Sequence, residues 1–173
     1  EVFPGCRDRA TTISVLGPGQ CYIVAAVLVD RVYLKSARSL TASRILLVPA
    51  EAVRKVFAED AAFARRLAMD VAEAYRMVVK ELKNQKLRSS LERLANWLLA
   101  HDTETGGATR FELPFEKKVL AARLGMAPEV LSRSFAALVP YRVKVTGSII
   151  EIRDVEALTK LASPSPTIDD ATA

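Results

Sequence analysis

An α+β fold is predicted for this chain by three observations, one for each part of it. Residues 10–49 hold short β-branched and aliphatic runs broken by turn signals, the pattern of a small antiparallel barrel or sandwich. Residues 60–85 contain no glycine or proline and repeat apolar side chains at helical spacing. Residues 113–153 read as helix, glycine-containing turn, helix and hairpin. The boundaries that follow are 1–58 for the β part, 59–85 for a long helix, 86–162 for the helical and hairpin unit, and 163–173 for a polar, proline-containing tail predicted to be disordered.

The chain has 173 residues, half of them apolar, which is enough to bury a real core. Only 6% are aromatic, so that core is aliphatic. The longest apolar run, CYIVAAVLV, falls well short of the roughly 18 residues of a membrane span. The opening EVFPGCRDRA has no basic segment followed by an apolar one, so no signal peptide is read there. Cys6 and Cys21 match neither a metal-ligand spacing nor a disulfide framework, and a reducing cytoplasm is the expected compartment. A single histidine, with no nucleophile motif, no phosphate loop and no ligand cluster, argues against an enzyme. Net charge is +5, and residues 113–148 concentrate it with six basic side chains against two acidic ones. Such a local excess suits an anionic partner.

Taken in order, TTISVL reads as a strand closed by the turn GPGQ, then CYIVAAVLV as a buried strand, with DRVY, KSARSL and SRILLVP as further strands. A first strand near residue 10 leaves too few to close a barrel, so further strands are expected upstream. PAEAVRKVF is a short helix with proline at its start. In the long helix, Phe63, Leu67, Val71, Ala74, Val78 and Leu82 recur at intervals of four and three. They form a seam on a rod of about 25 residues, roughly 37 Å long, which projects beyond a small barrel and is expected to pair with a copy of itself. A second helix over 88–101 buries Leu91, Leu94, Trp97 and Leu98, and His101 at its end reads as a cation facing the helix C-terminus. DTETGGATR is a loop and RFELP a short strand. Pro114 marks a helix start, and Phe115–Leu124 form that helix. Gly125 supplies a left-handed turn residue, Pro128 opens the next helix and Pro140 ends it. Thr146-Gly147 turns a hairpin, and Asp154 caps a last helix.

The candidate site lies on the helix opened by Pro128. Leu131, Phe135 and Leu138 form its packing side, which leaves Glu129, Ser132 and Arg133 together on the other. In a winged helix-turn-helix the N-terminal part of this second helix enters the major groove of double-stranded DNA. Arg133 can then bind guanine O6 and N7 in a fork, Glu129 can accept from cytosine N4, and Ser132 is short and adaptable. Lys117 and Lys118 at the start of the first helix, and Arg142 and Lys144 on the wing, suit phosphates. A second possibility is a sensor or adaptor whose helix-turn-helix meets another protein, with Glu129 and Arg133 as a simple i, i+4 pair.

The segment LPFEKKVLAARLGMAPEVLSRSFAAL resembles the DNA-binding motif of the CRP/FNR superfamily, with the E-x-x-S-R pattern on Glu129, Ser132 and Arg133. Upstream, TTISVLGPGQCYIVAAVL and KSARSLTASRILLVPAEAVRKVF are similar to the second half of that superfamily's cyclic-nucleotide-binding-like β-roll, and the seam at 63–82 is similar to its dimerisation helix. The resemblance implies a homodimeric bacterial transcription regulator that reads a palindromic TTGAT-like site and has RNA polymerase as a further partner. Pro128 stands where the cyclic-AMP type carries a DNA-contacting arginine, and Pro140 and Arg142 depart from the usual wing, where glycine is common at the second position. The nucleotide-binding Gly-Glu and Arg-Ser pairs correspond to Val24-Ala25 and Lys35-Ser36, so cyclic AMP is not the expected effector. The resemblance points instead to a redox or gas signal, with haem or an iron–sulfur cluster held by cysteines or other ligands upstream of this chain.

Overall fold

A computed structural model describes residues 1–4 and 12–169, and Cys6 lies outside them. The chain forms two compact units, Glu1–Val79 and Lys80–Ala173.

In the first unit, β1 (Val2–Pro4) pairs antiparallel with β2 (Lys35–Ala37), in register Val2 to Ala37 and Phe3 to Ser36. A lone bridge joins Val2 to Ser14, and Val2 is almost fully buried. Antiparallel pairing is therefore present, but four expected strands are not: TTISVL contributes only this bridge among the described residues, and the other three form no ladder. CYIVAAVLV contains a short helix, α1 (Val24–Leu28), with no buried residue, rather than a buried strand. A short apolar run does not distinguish helix from strand, and Ala25-Ala26 favours helix. DRVY and SRILLVP pair with nothing among the described residues, and Leu46 and Leu47 are 86% and 88% exposed. A strand exists only where a neighbour accepts its ladder, and none reaches these segments. The unit continues with α2 (Ala50–Glu59), whose Arg54 donates to the Val27 carbonyl at 3.1 Å and to Asp30 at 3.0 Å, tying α2 to the end of α1.

The long helix α3 (Ala61–Leu87) has 27 residues, about 40 Å at 1.5 Å each. Asp60 caps it, accepting from the N–H groups of Ala62 and Phe63 at 2.8 and 3.0 Å. Along its seam Leu67 is buried, Phe63 and Val71 are half-buried, and Ala74, Val78 and Leu82 are exposed.

In the second unit the end of α3 leads to α4 (Ser90–Glu104), opened by a capping box in which Ser89 and Glu92 satisfy each other's backbone N–H groups. Two hydrogen bonds from Ser89 hold the Glu92 carboxyl below its usual pKa. β3 (Arg110–Glu112) follows, then α5 (Lys117–Arg123), α6 (Pro128–Ala137), a 3₁₀ turn at Val139–Tyr141, β4 (Val143–Thr146), β5 (Ile149–Ile152) and α7 (Val155–Ala162). The antiparallel sheet runs β3-β5-β4, with Phe111 opposite Ile150 and Val145 opposite Ile150. Leu94, Leu98, Leu120, Leu131, Leu138, Ile150 and Leu158 form the aliphatic core between helices and sheet. Asp154 caps α7 through the Ala157 N–H at 2.9 Å.

Three expectations for this unit are corrected. α5 begins at Lys117, with Glu116 as its N-cap, because the chain bends at Pro114-Phe115 instead of entering the helix there. His101 does not stand free at the helix end: it stacks on Trp97 at 5.0 Å and meets the Phe111 ring edge-on at 4.9 Å, and burial lowers its pKa, which disfavours the cationic form despite Glu104 nearby. The tail is ordered as far as it is described, because α8 (Pro166–Asp169) returns to the end of α3 through an Arg88–Asp169 ion pair. The expectation for 170–173 lies outside the described residues.

Candidate nucleic-acid interface

Gly125 lies between α5 and α6 with φ +62°, the left-handed geometry that glycine adopts without a Cβ penalty. A Cβ there would also meet the Gln85 side chain at 3.3 Å. Pro128 occupies the first turn of α6, where its missing N–H costs nothing. Leu131, Phe135 and Leu138 are all under 10% exposed and face the core. Glu129, Ser132 and Arg133 are all exposed on the opposite side. No ion pair joins Glu129 to Arg133 among the described residues, so the i, i+4 pairing is not formed. Glu129 lies in the first turn of α6, where the helix dipole favours an anion.

Two clefts against α6 carry basic side chains. Lys117 and Lys118 line a cleft of about 130 Å³ with Pro128, Leu131, Ser132 and Phe135. The Lys117 ammonium lies 5.6 Å from the centre of the Phe135 ring, which positions it without neutralising it. An open groove of about 460 Å³ separates α6 from the β4–β5 hairpin, lined in part by Arg142, Lys144 and Arg153. Arg142 ends the 3₁₀ turn with φ +61°, and its carbonyl accepts the Arg153 N–H at 3.0 Å. This is the left-handed geometry that suits glycine, and here it carries an arginine side chain.

Sequence reading missed Arg153, which borders the same groove. Its guanidinium is held by Glu151 at 2.9 Å, a carboxylate that also lies opposite Lys144 in the β4–β5 ladder. It also missed Arg93, buried and donating to the Leu124 carbonyl at 2.9 Å and the Arg88 carbonyl at 2.7 Å. The Ser89–Glu92 spacing signals the capping box, but nothing local to Arg93 signals this contact. Among the described residues no three histidine, cysteine or acidic side chains come together to hold a metal. No described helix is long and apolar enough to cross a membrane.

Residues 92–161 match the family described as the Crp-like helix-turn-helix domain. Several solved structures resemble the chain. FixK2 from Bradyrhizobium japonicum is 23% identical, with a TM-score of 0.58 over 68% of this chain and 61% of that one. A candidate cAMP-binding regulatory protein from Silicibacter pomeroyi is 27% identical, with a TM-score of 0.55 over 81% and 62%. A candidate cyclic nucleotide binding protein from Ruegeria pomeroyi is 25% identical, with a TM-score of 0.62 over 95% and 73%. The chain spans about three fifths of the length of the first two. No curated protein matches. A Crp-like helix-turn-helix domain at 92–161, with a fold around it like that of these solved structures, supports membership of the CRP/FNR superfamily.

Proposed function

We propose that this chain acts as a homodimeric, sequence-specific DNA-binding regulator of transcription. The observation that carries this reading is the exposed Glu129–Ser132–Arg133 face of α6, with Lys117 and Lys118 lining a cleft that includes Ser132, and Arg142 and Lys144 lining the groove between α6 and the hairpin. Arg133 reads guanine, Glu129 accepts from cytosine and Ser132 adapts to either neighbour. The four flanking cations hold phosphates and set orientation without reading sequence. Pairing along Phe63, Leu67, Val71, Ala74, Val78 and Leu82 gives a two-fold axis, so the site is a palindrome of TTGAT-like halves about one DNA turn, roughly 34 Å, apart. RNA polymerase is the further partner, and the cytoplasm the compartment.

An effector of redox or gas type, sensed in the β part, selects between two arrangements of the dimer. The described residues do not fit a haem or an iron–sulfur cluster: His101 is stacked between Trp97 and Phe111, and Cys21 stands alone and exposed. Cyclic AMP is not proposed, because Val24-Ala25 and Lys35-Ser36 lack the carboxylate and the guanidinium fork that would hold it.

Binding to a labelled TTGAT palindrome across a salt series tests the function. Affinity should fall steeply with salt, as phosphate contacts release counterions, and exceed affinity for a scrambled duplex by about 10³-fold or more. Equal binding to the two duplexes would refute sequence reading. Salt-insensitive binding would favour the protein-interaction alternative.

A further inference from the structure

The last described residues fold back on the joint between α3 and α4. Asn96 Nδ2 donates to the Ala162 carbonyl at 2.6 Å and fixes the end of α7 against α4. Ser163, with φ +44°, then reverses the chain, and Pro164 and Pro166 limit the freedom of the return. In α8 the Asp169 carboxylate accepts from both terminal nitrogens of Arg88, at 2.7 Å on Oδ1 and also on Oδ2. Oδ2 further accepts the Ser165 N–H at 2.6 Å. Lys83 Nζ donates to Thr167 Oγ1 at 2.8 Å, and Asn84 accepts a bond from Arg88 at 3.2 Å. Lys83, Asn84 and Arg88 all belong to the final turns of α3 or its immediate continuation.

The Arg88 side chain is only 6% exposed, against 29% for Asp169. A cation buried to that degree is costly to leave without its anion. The carbonyl of the same Arg88 is held by the Arg93 guanidinium, which also holds Leu124 at the end of α5. The C-terminal turn, the rod end and the first helix of the helix-turn-helix are thus joined through two buried arginines, one on each side of the α3–α4 joint.

We propose that residues 165–169 are a strap that locks the α3–α4 joint, so that α6 is presented at one angle to the last turns of α3, from Lys80 on, only while Asp169 grips Arg88. The DNA consequence rests on the function proposed above; the locking itself does not. Release of the strap turns one fixed angle into a range of angles. A single half-site is indifferent to that range, whereas two half-sites at a fixed separation are not.

The full chain and its Asp169→Asn variant decide the matter, with a chain ending at Ser163 as a second variant. Hydrogen exchange of the amides at 84–88 should quicken roughly tenfold in both variants while α6 keeps its protection. Binding to a duplex with two half-sites should weaken roughly tenfold, with a single half-site unaffected. Unchanged exchange at 84–88 overturns the strap whatever the DNA result. Faster exchange with an unaltered ratio of two-site to one-site affinity overturns its control of the reading angle. If the unaltered chain bound no duplex, the DNA reading would fall, and the exchange result would still decide the strap. If the shortened chain proved unfolded, exchange in Asp169→Asn alone would settle the question by the same criteria.

Discussion

Arg133 and Arg142 both face solvent near the proposed DNA surface, yet their backbones impose different demands. Arg133 lies mid-helix, exposed, with its packing neighbours on the opposite side. Arg133→Ala should leave stability within about 0.5 kcal/mol and remove about 1–3 kcal/mol of preference for guanine in each half-site. Comparing cognate and guanine-substituted duplexes measures it, and a variant that still tells them apart would show that another side chain reads that base. Arg142 occupies a left-handed conformation that costs a side-chain-bearing residue about 1 kcal/mol. Arg142→Gly should therefore raise the denaturation midpoint, by about 0.5–1 kcal/mol, while lowering DNA affinity and reducing the salt slope by about 1. Opposite signs for stability and binding would identify a residue kept for its charge. The grouping of Glu129, Ser132 and Arg133 on one face was legible in the sequence, because helical spacing alone fixes it. The arginine pair at 88 and 93 was not, because its partners Asp169 and Leu124 are 81 and 31 residues away.

At the scale of elements, α4 supports two further tests. Its capping box satisfies two N–H groups that water would otherwise have to reach. Ser89→Ala should cost about 1 kcal/mol in chemical denaturation, and the depressed Glu92 pKa should return toward its ordinary value. At the other end, burial between Trp97 and Phe111 places the folded His101 pKa below its ordinary 6.5. The unfolded chain then binds the proton more readily at this site, so the His101 contribution to stability is level above about pH 6.5 and falls as pH drops below it. His101→Phe should flatten that slope between pH 5 and 7 in urea denaturation; an unaltered slope would assign it to another group. Helices were read well from sequence where a start signal marks them, as Pro128 does for α6 and Asp154 for α7, or where the periodicity is long, as in α3. Strands at 21–33 and 43–49 were read poorly, because hydropathy reports apolarity and not the presence of a neighbour. CYIVAAVLV, DRVY and SRILLVP have the side chains of strands and no ladder to join among the described residues.

At the scale of the whole molecule, the seam on α3 is the feature with the widest reach. Val78 is 66% and Leu82 54% exposed, with Tyr75 at 70% between the same turns. A row of large apolar side chains left open on one rod matches a partner rod. Val78→Asp should leave the thermal midpoint of the single chain almost unchanged, since the site is open, yet convert dimer to monomer by sedimentation. A dimer that survives would place the contact elsewhere. The order of parts, β then rod then helix-turn-helix, was visible in the sequence because each has its own period. The closure of the C-terminal turn was hidden, because SPSPTID is polar and its contacts to Lys83 and Arg88 are 84 and 81 residues away in sequence. Arg93 has a mechanical corollary. One planar group clasps the carbonyl just past the rod and the carbonyl that finishes α5. The two carbonyls cannot separate without one of them losing its donor, so the turn before α4 and the bend before α6 are tied to a single side chain.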